Sequence, residues 1–126
     1  VSTSEIATVL AWHDALNAND VDTVLALSSD DIEVGSADGA AQGLEHLQEW
    51  VRTPGVTLTP GAMFYRDGVV VVEESATSGD ESAGTTIEAA SFRVVHDHVT
   101  SIFRHTDLES ALSATGMSES DRVAES

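Results

Sequence analysis

The 126-residue chain contains no cysteine. A disulfide framework and a thiolate metal site are therefore excluded, and redox chemistry says nothing about compartment. Lysine is also missing: five arginines face 22 aspartates and glutamates, for a formal net charge of −17. A surface of that sign repels nucleic acid and anionic membranes, so neither is expected as a partner. The acidity fits either a GC-rich codon bias or a host with high internal salt, where screening removes the self-repulsion. No segment approaches the ~18–20 apolar residues of a membrane span. The start, VSTSEIATVL, lacks a basic region before its short apolar run, so a soluble cytoplasmic chain without a secretory signal is expected. Glycine-rich phosphate loops and nucleophile elbows are missing too. Of the five histidines, His96 and His98 flank a turn and His105 is expected to face outward. No three of them converge with a carboxylate at ligand spacing, and neither a metal nor a cofactor is expected.

What is present organises around Thr85 to Leu108, TTIEAASFRVVHDHVTSIFRHTDL. Two runs rich in Val, Ile, Phe and Thr, joined at Asp97-His98, have the composition of a long antiparallel hairpin. Alternation puts Glu88, Ala90, Phe92 and Val94 on one face and Ile87, Ala89, Ser91, Arg93 and Val95 on the other. Both faces are largely apolar. Such a hairpin needs cover on both sides: helices on its concave face and, on this reading, a second copy of the chain on its convex face. Its polar residues Glu88, Arg93, Arg104 and His105 are the first candidates for chemistry.

Before the hairpin, Ser4 to Asn17 carries Ile6, Val9, Leu10, His13 and Leu16 at helical spacing, with Trp12 at the edge of that face and Ser2 or Ser4 as cap. Asn19-Asp20 ends this helix and caps a shorter one, Val21 to Leu27. Asp30-Asp31 introduces a strand through Ile32 and Val34. The stretch GSADGAAQG reads as a connecting loop, and Gly43 to Arg52 as a third helix with Leu44, Leu47 and Val51 on one face, Trp50 beside them and Pro54-Gly55 as its stop. Val56 to Tyr65 and Val69 to Thr77 pair across Arg66-Asp67-Gly68, and Pro60-Gly61 marks a bulge or an edge position. The acidic SGDESAG at 78–84 reads as a hairpin loop. A short helix from Leu108 to Thr115 stops at Gly116. One domain over 1–116 with a flexible acidic tail over 117–126 follows. The element order implies an α+β cone: a strongly curved antiparallel or mixed sheet with three N-terminal helices packed in its concave face.

The runs WHDALNANDVDTVLALSSDDIEV, AAQGLEHLQEWV and FRVVHDHVTSIFRHTDL resemble the SnoaL-like branch of the nuclear transport factor 2 superfamily over about residues 5–110. The resemblance implies that fold, but the fold hosts isomerases, epoxide hydrolases, polyketide cyclases, dehydratases and plain binding modules. Positions that make the oxyanion hole and base in ketosteroid isomerases hold Trp12, Ala90 and Val34 or Ser36, none of which can do that work. Asp38 lies in the nearby loop as a displaced carboxylate. Positions of the limonene epoxide hydrolase triad hold Glu74, Ala76 and Arg104, so its carboxylate-arginine-carboxylate pattern is absent and a Glu74–Arg104 pair is expected instead.

Near Trp12, His13, Tyr65, Glu88, Phe92 and Trp50, such a pair would hold the polar or anionic end of a small hydrophobic ligand by a guanidinium fork. Alternatively, Glu74 or His13 transfers a proton and Arg104 stabilises charge, in a lyase, isomerase or hydrolase. A third reading keeps the pair as a structural filling and assigns function to a non-catalytic dimeric module that associates through the outer sheet face. Binding and turnover both require a cavity of about 300 Å³ or more containing Glu74 and Arg104; a cone filled by Trp12, Phe92 and Met63 would sink both and leave the interaction module. The net charge alone makes one prediction. Raising salt from 0.1 to 1 M shortens the screening length from about 10 to about 3 Å, so the melting temperature should rise between those conditions. A melting temperature that is flat or falls would show that self-repulsion is not what limits this fold.

Overall fold

The computed structural model describes residues 2–18, 20–36, 39–51, 56–78 and 85–123; Asp38, Pro54-Gly55 and most of the 78–84 loop lie outside the described residues. The order is α1 (Ser2–Asn17), α2 (Val21–Ala26), β1 (Ser28–Ser36), β2 (Gly39–Gln42), α3 (Leu44–Val51), β3 (Val56–Arg66), β4 (Val69–Ser78), β5 (Thr85–Val95), β6 (His98–His105) and α4 (Leu108–Thr115). One six-stranded sheet runs β2-β1-β6-β5-β4-β3. β3 to β6 form the expected meander, and β1 joins it in parallel with β6, Val34 opposite Ile102.

Two hairpin turns explain the meander. Asp67 and Gly68 have φ of 50° and 83°, and His96 and Asp97 have φ of 50° and 64°. Left-handed values at both central positions suit the two-residue turns whose twist matches paired strands. The second turn lies one residue earlier than Asp97-His98. Pro60-Gly61 does mark a bulge, since the β3–β4 register shifts between Pro60 and Met63, and β3 is an edge strand.

Several expectations need correction. The stretch read as a loop contains β2, which pairs with β1 from Glu33–Gln42 to Ser36–Gly39. Gly, Ala and Gln carry little strand propensity, and the pairing comes from an adjacent strand edge. On α1, Leu10 is 39% exposed while Trp12 is fully buried; the buried side centres on Val9, Trp12 and His13, three and four residues apart. That helix starts at Ser2, which places Ser4 inside it.

The tail is also not frayed over 117–123. Met117 is buried, a short 3-10 helix spans Glu119–Asp121, and the Val123 amide donates to the Met63 carbonyl at 2.8 Å. Finally, the helices divide between the two faces. α1 crosses β3 to β6, while α2 and α3 pack beside β1. Val9, Trp12, Val24 and Leu47 from these three join Ile32, Val34, Val70, Val72, Phe92 and Ile102 in the main core. On the opposite face Ala111 of α4 and Met117 bury Phe64, Val71 and Ala89 in a second cluster. Over those residues the convex side assigned to a second copy is covered by the chain itself.

β1 sits close against β6. A Cβ added at Gly35 would lie 2.6 Å from the Phe103 ring and 3.0 Å from Ala40 Cβ. Gly35→Ala should therefore cost about 1–3 kcal/mol as an overpacking change, measured by urea unfolding. The cost should shrink in a Phe103→Leu background. An equal cost in both backgrounds would show that the ring is not the obstacle.

Candidate functional site

The sheet register brings the candidate residues together. Glu74 on β4 stands directly opposite Glu88 on β5, and Arg104 on β6 stands opposite Ala90, two residues further along β5. Strand alternation puts all three side chains on the face that carries Val70, Val72 and Phe92, toward α1. Like charges opposite one another destabilise a sheet unless each has a counterpart. Here each has one. Glu74 Oε2 meets His13 Nε2 from α1, and Glu88 Oε2 accepts from Arg104 Nη2. The expected Glu74–Arg104 fork is thus corrected to two pairs with exchanged partners. Helix α1 passes over β4 and supplies a nearer base.

The two pairs sit in different environments. His13 and Glu74 are 0% and 1% exposed, whereas Glu88 and Arg104 are 27% and 26% exposed. His13 Nδ1 lies 2.8 Å from the Val9 carbonyl. That oxygen can only accept, so Nδ1 carries a proton. Contact between Nε2 and a carboxyl oxygen then requires one more proton between them, and the pair is neutral overall wherever that proton rests. Neutrality is what makes its burial tolerable.

Around this pair the interior is filled by rings. Trp12 and Phe92 meet edge to face at 5.4 Å between centroids, His13 and Phe92 lie at 5.2 Å, and Trp12 and His13 at 5.6 Å. Trp12 and Phe92 are buried, so two of the three residues named as fillers do fill it; Met63 is only partly buried against them. The Trp12 indole donates to Ser28 Oγ at 3.3 Å, and that hydroxyl donates to the Val24 carbonyl at 2.7 Å. Ser28 carried no signal in the sequence. Its role appears only when β1 lies under α1.

Tyr65 is not part of the group. Its row on β3 matches Val70, four residues along β4 from Glu74, or about 13 Å at strand spacing. Its hydroxyl accepts from the Gly68 amide at 3.2 Å, and a hydrogen bond with Glu5, with burial second, raises its pKa. Trp50 is carried on α3, with its side chain outside the described residues. Arg93 is exposed and shares the outer face with Ser91. His105 also lies on that face, shares a 3.4 Å hydrogen bond with Ser91 Oγ, and has its pKa lowered by burial. Among the described residues no three of His, Cys, Asp and Glu gather as a metal site, and no helix is long and apolar enough to cross a membrane.

Residues 9–108 match the family model described as SnoaL-like domain. The chain belongs to the SnoaL-like family. Among solved structures it is similar to an NTF2-like protein of unknown function from Cytophaga hutchinsonii, with TM-score 0.72 and 14% identity over 86% of this chain and 94% of that one. It is also similar to TerC co-crystallised with polyporic acid, at TM-score 0.73 and 17% identity over 88% and 97% of the two chains. An LEH-like epoxide hydrolase from M. tuberculosis aligns at TM-score 0.67 and 19% identity over 85% of each chain. Among curated proteins none matches the sequence. Identities this low establish a shared α+β fold with a curved sheet and carry no activity with them.

The buried pair makes a measurable prediction. Glu74→Ala should cost about 3–5 kcal/mol, because it leaves His13 buried without its partner. The double variant His13→Leu, Glu74→Met should cost clearly less than the two single changes added together. Additive costs in chemical denaturation would show that the two groups do not act as a pair.

Proposed function

We propose that this SnoaL-like chain binds a small, mostly apolar molecule with one polar or anionic end, held at the Glu88–Arg104 pair on the concave side. The observation that carries this reading is the gradient of exposure along one sheet face. His13 and Glu74 are sealed, while Glu88 and Arg104 remain about one quarter accessible. A pair needed only to fill the core would be expected to share the burial of its neighbours. A guanidinium that stays reachable at the end of a face otherwise filled by Trp12 and Phe92 offers an oriented polar contact. Because the buried rings fill the inner end, the ligand rests outside them, at the accessible pair. The co-crystallisation of TerC, of similar fold, with polyporic acid is in keeping with a small-molecule ligand.

Turnover is the second reading, with His13 or Glu74 as the proton-transfer group. It is the weaker of the two. Proton transfer needs a substrate atom within hydrogen-bond reach of the group, and both nitrogens of His13 are already engaged in a fully buried environment.

The test is a thermal-shift screen of small hydrophobic acids, lactones, epoxides and ketones on wild type, Arg104→Ala and Glu88→Gln. A ligand at 100 times its dissociation constant should add about 2.7 kcal/mol to wild type and nothing to Arg104→Ala. Glu88→Gln should strengthen binding of an anionic ligand, because the carboxylate competing for the guanidinium is gone, and leave a neutral ligand nearly unaffected. Hits retained in full by Arg104→Ala would overturn the assignment.

A further inference from the structure

Sheet register and helix placement bring together four ionisable side chains whose charges cancel. Glu74 and Glu88 are directly opposite one another on β4 and β5, a relation that sets Cβ atoms about 4.5–5.5 Å apart. Glu74 shares a proton with His13, and Glu88 holds the Arg104 guanidinium. Each half is neutral, and so is the whole. We propose that this balance is kept on binding: the site takes a weak organic acid as its anion together with one proton, and Glu88 receives that proton. This rests on the Glu88–Arg104 pair being the ligand's polar contact, and it specifies the class of that ligand and the way pH regulates it.

The surroundings of Glu88 hold nothing that could stand in for Arg104. Arg104 faces it from β6, and Glu74 faces it from β4 with His13 of α1 behind. The other acids of α1 are Asp14, which is exposed, and Glu5, which is engaged with Tyr65 further along the sheet. On α2 and α3, Asp22 and Glu45 are exposed, and the side chains of His46 and Glu49 lie outside the described residues. β1 turns Ile32 and Val34 toward this core, while its acids Asp30, Asp31 and Glu33 are exposed. Arg66 is drawn to the Gly116 carbonyl and Arg122 to Glu119, and Arg93 points from the outer face. Among the described residues, therefore, a second cation does not reach the concave pair.

An anion that pairs with the guanidinium competes with Glu88 for it. If Glu88 stayed ionised, the ligand and Glu88 would bring two negative charges against one positive, beside a second carboxyl group. Like charges at that spacing favour protonation of one of them. A proton on Glu88 restores neutrality and converts an acceptor into a donor. The hydrogen bond from Arg104 Nη2 to Glu88 Oε2 breaks, the proton comes from solvent, and the ligand anion then accepts from both Arg104 and the Glu88 hydroxyl.

Exposure decides which group takes the proton. Glu88 is 27% accessible, whereas Glu74 and His13 are sealed. Both nitrogens of His13 are already engaged, and one more proton there would leave a buried charge. The field of the chain acts in the same sense, since a net charge of −17 repels anions and draws protons.

Benzoate and its uncharged isostere benzamide test this by calorimetry in molar salt between about pH 6 and about pH 8, where benzoate stays ionised. Wild type should bind benzoate less tightly as pH rises, by up to about tenfold per pH unit where one proton is taken up. Runs in phosphate and in Tris, which differ in heat of ionisation, should report that uptake directly. Glu88→Gln should bind benzoate without a pH trend and without uptake, and benzamide should show neither in either protein. Histidines elsewhere titrate alike in both proteins and drop out of the comparison. Equal pH slopes in the two would overturn the proton coupling and leave the site in place. Benzoate held as tightly by Arg104→Ala would remove the site itself. A second measurement needs no ligand. Arg104→Met leaves Glu88 beside Glu74 without its guanidinium, so the folded state should bind more protons than the unfolded one. Its stability relative to wild type should then fall as pH rises, and the double variant Arg104→Met, Glu88→Gln should show no such fall. A pH-independent difference for Arg104→Met would sink the idea even if benzoate binds nowhere.

Discussion

The contact between His13 and Glu74 is the constraint on which the rest of the interior depends. It ties α1 to β4 in the middle of the concave face, and it fixes the rotation of α1 so that Trp12 and Val9 point inward and Leu10 does not. With α1 so placed, Trp12 reaches Ser28 and holds the start of β1, while Asn17 reaches the edge of β3. Glu74 taken by His13 also leaves Glu88 to Arg104. One buried, neutral pair thereby decides which ions remain accessible. Well-packed apolar groups in its place would keep the fold, but the ordering of the charged side chains would be lost with the pair.

Much of the fold could be read from local chemistry. Alternation on the strand of Thr85 to Val95 divided its faces correctly, Asp67-Gly68 marked its hairpin, Pro60-Gly61 its bulge and Gly116 the end of the last helix. Each of these signals is short in range and belongs to one segment. What escaped detection was imposed by neighbours. The four residues Gly39 to Gln42 are a strand because β1 offers them an edge. Residues 117–123 are ordered because β3 and the outer face receive them, although their composition is that of a tail.

The site shows the same division. Glu74, Glu88 and Arg104 were found as polar residues on an inward face, which alternation alone can establish. Their partners could not be found that way, because pairing depends on which helix crosses which strand. A histidine in the fourth turn of α1 was nearer to Glu74 than an arginine two strands away. Tyr65 illustrates the limit: it points to the correct face but lies two rows along the sheet, and a sequence does not display that distance until the register is known.

The pairing of β1 with β6 bears on how the chain reaches this structure. β3 to β6 are neighbours in sequence and can assemble through short turns. Val34 and Ile102 come from opposite ends of the chain, so that closing them costs loop entropy that only late, collective contacts can offset. Until that pairing is made, the edge of β6 stays open and the floor under α1 is incomplete. The slow step in folding should then be the arrival of β1, and Gly35, where it passes the ring of Phe103, is the point that must fit last.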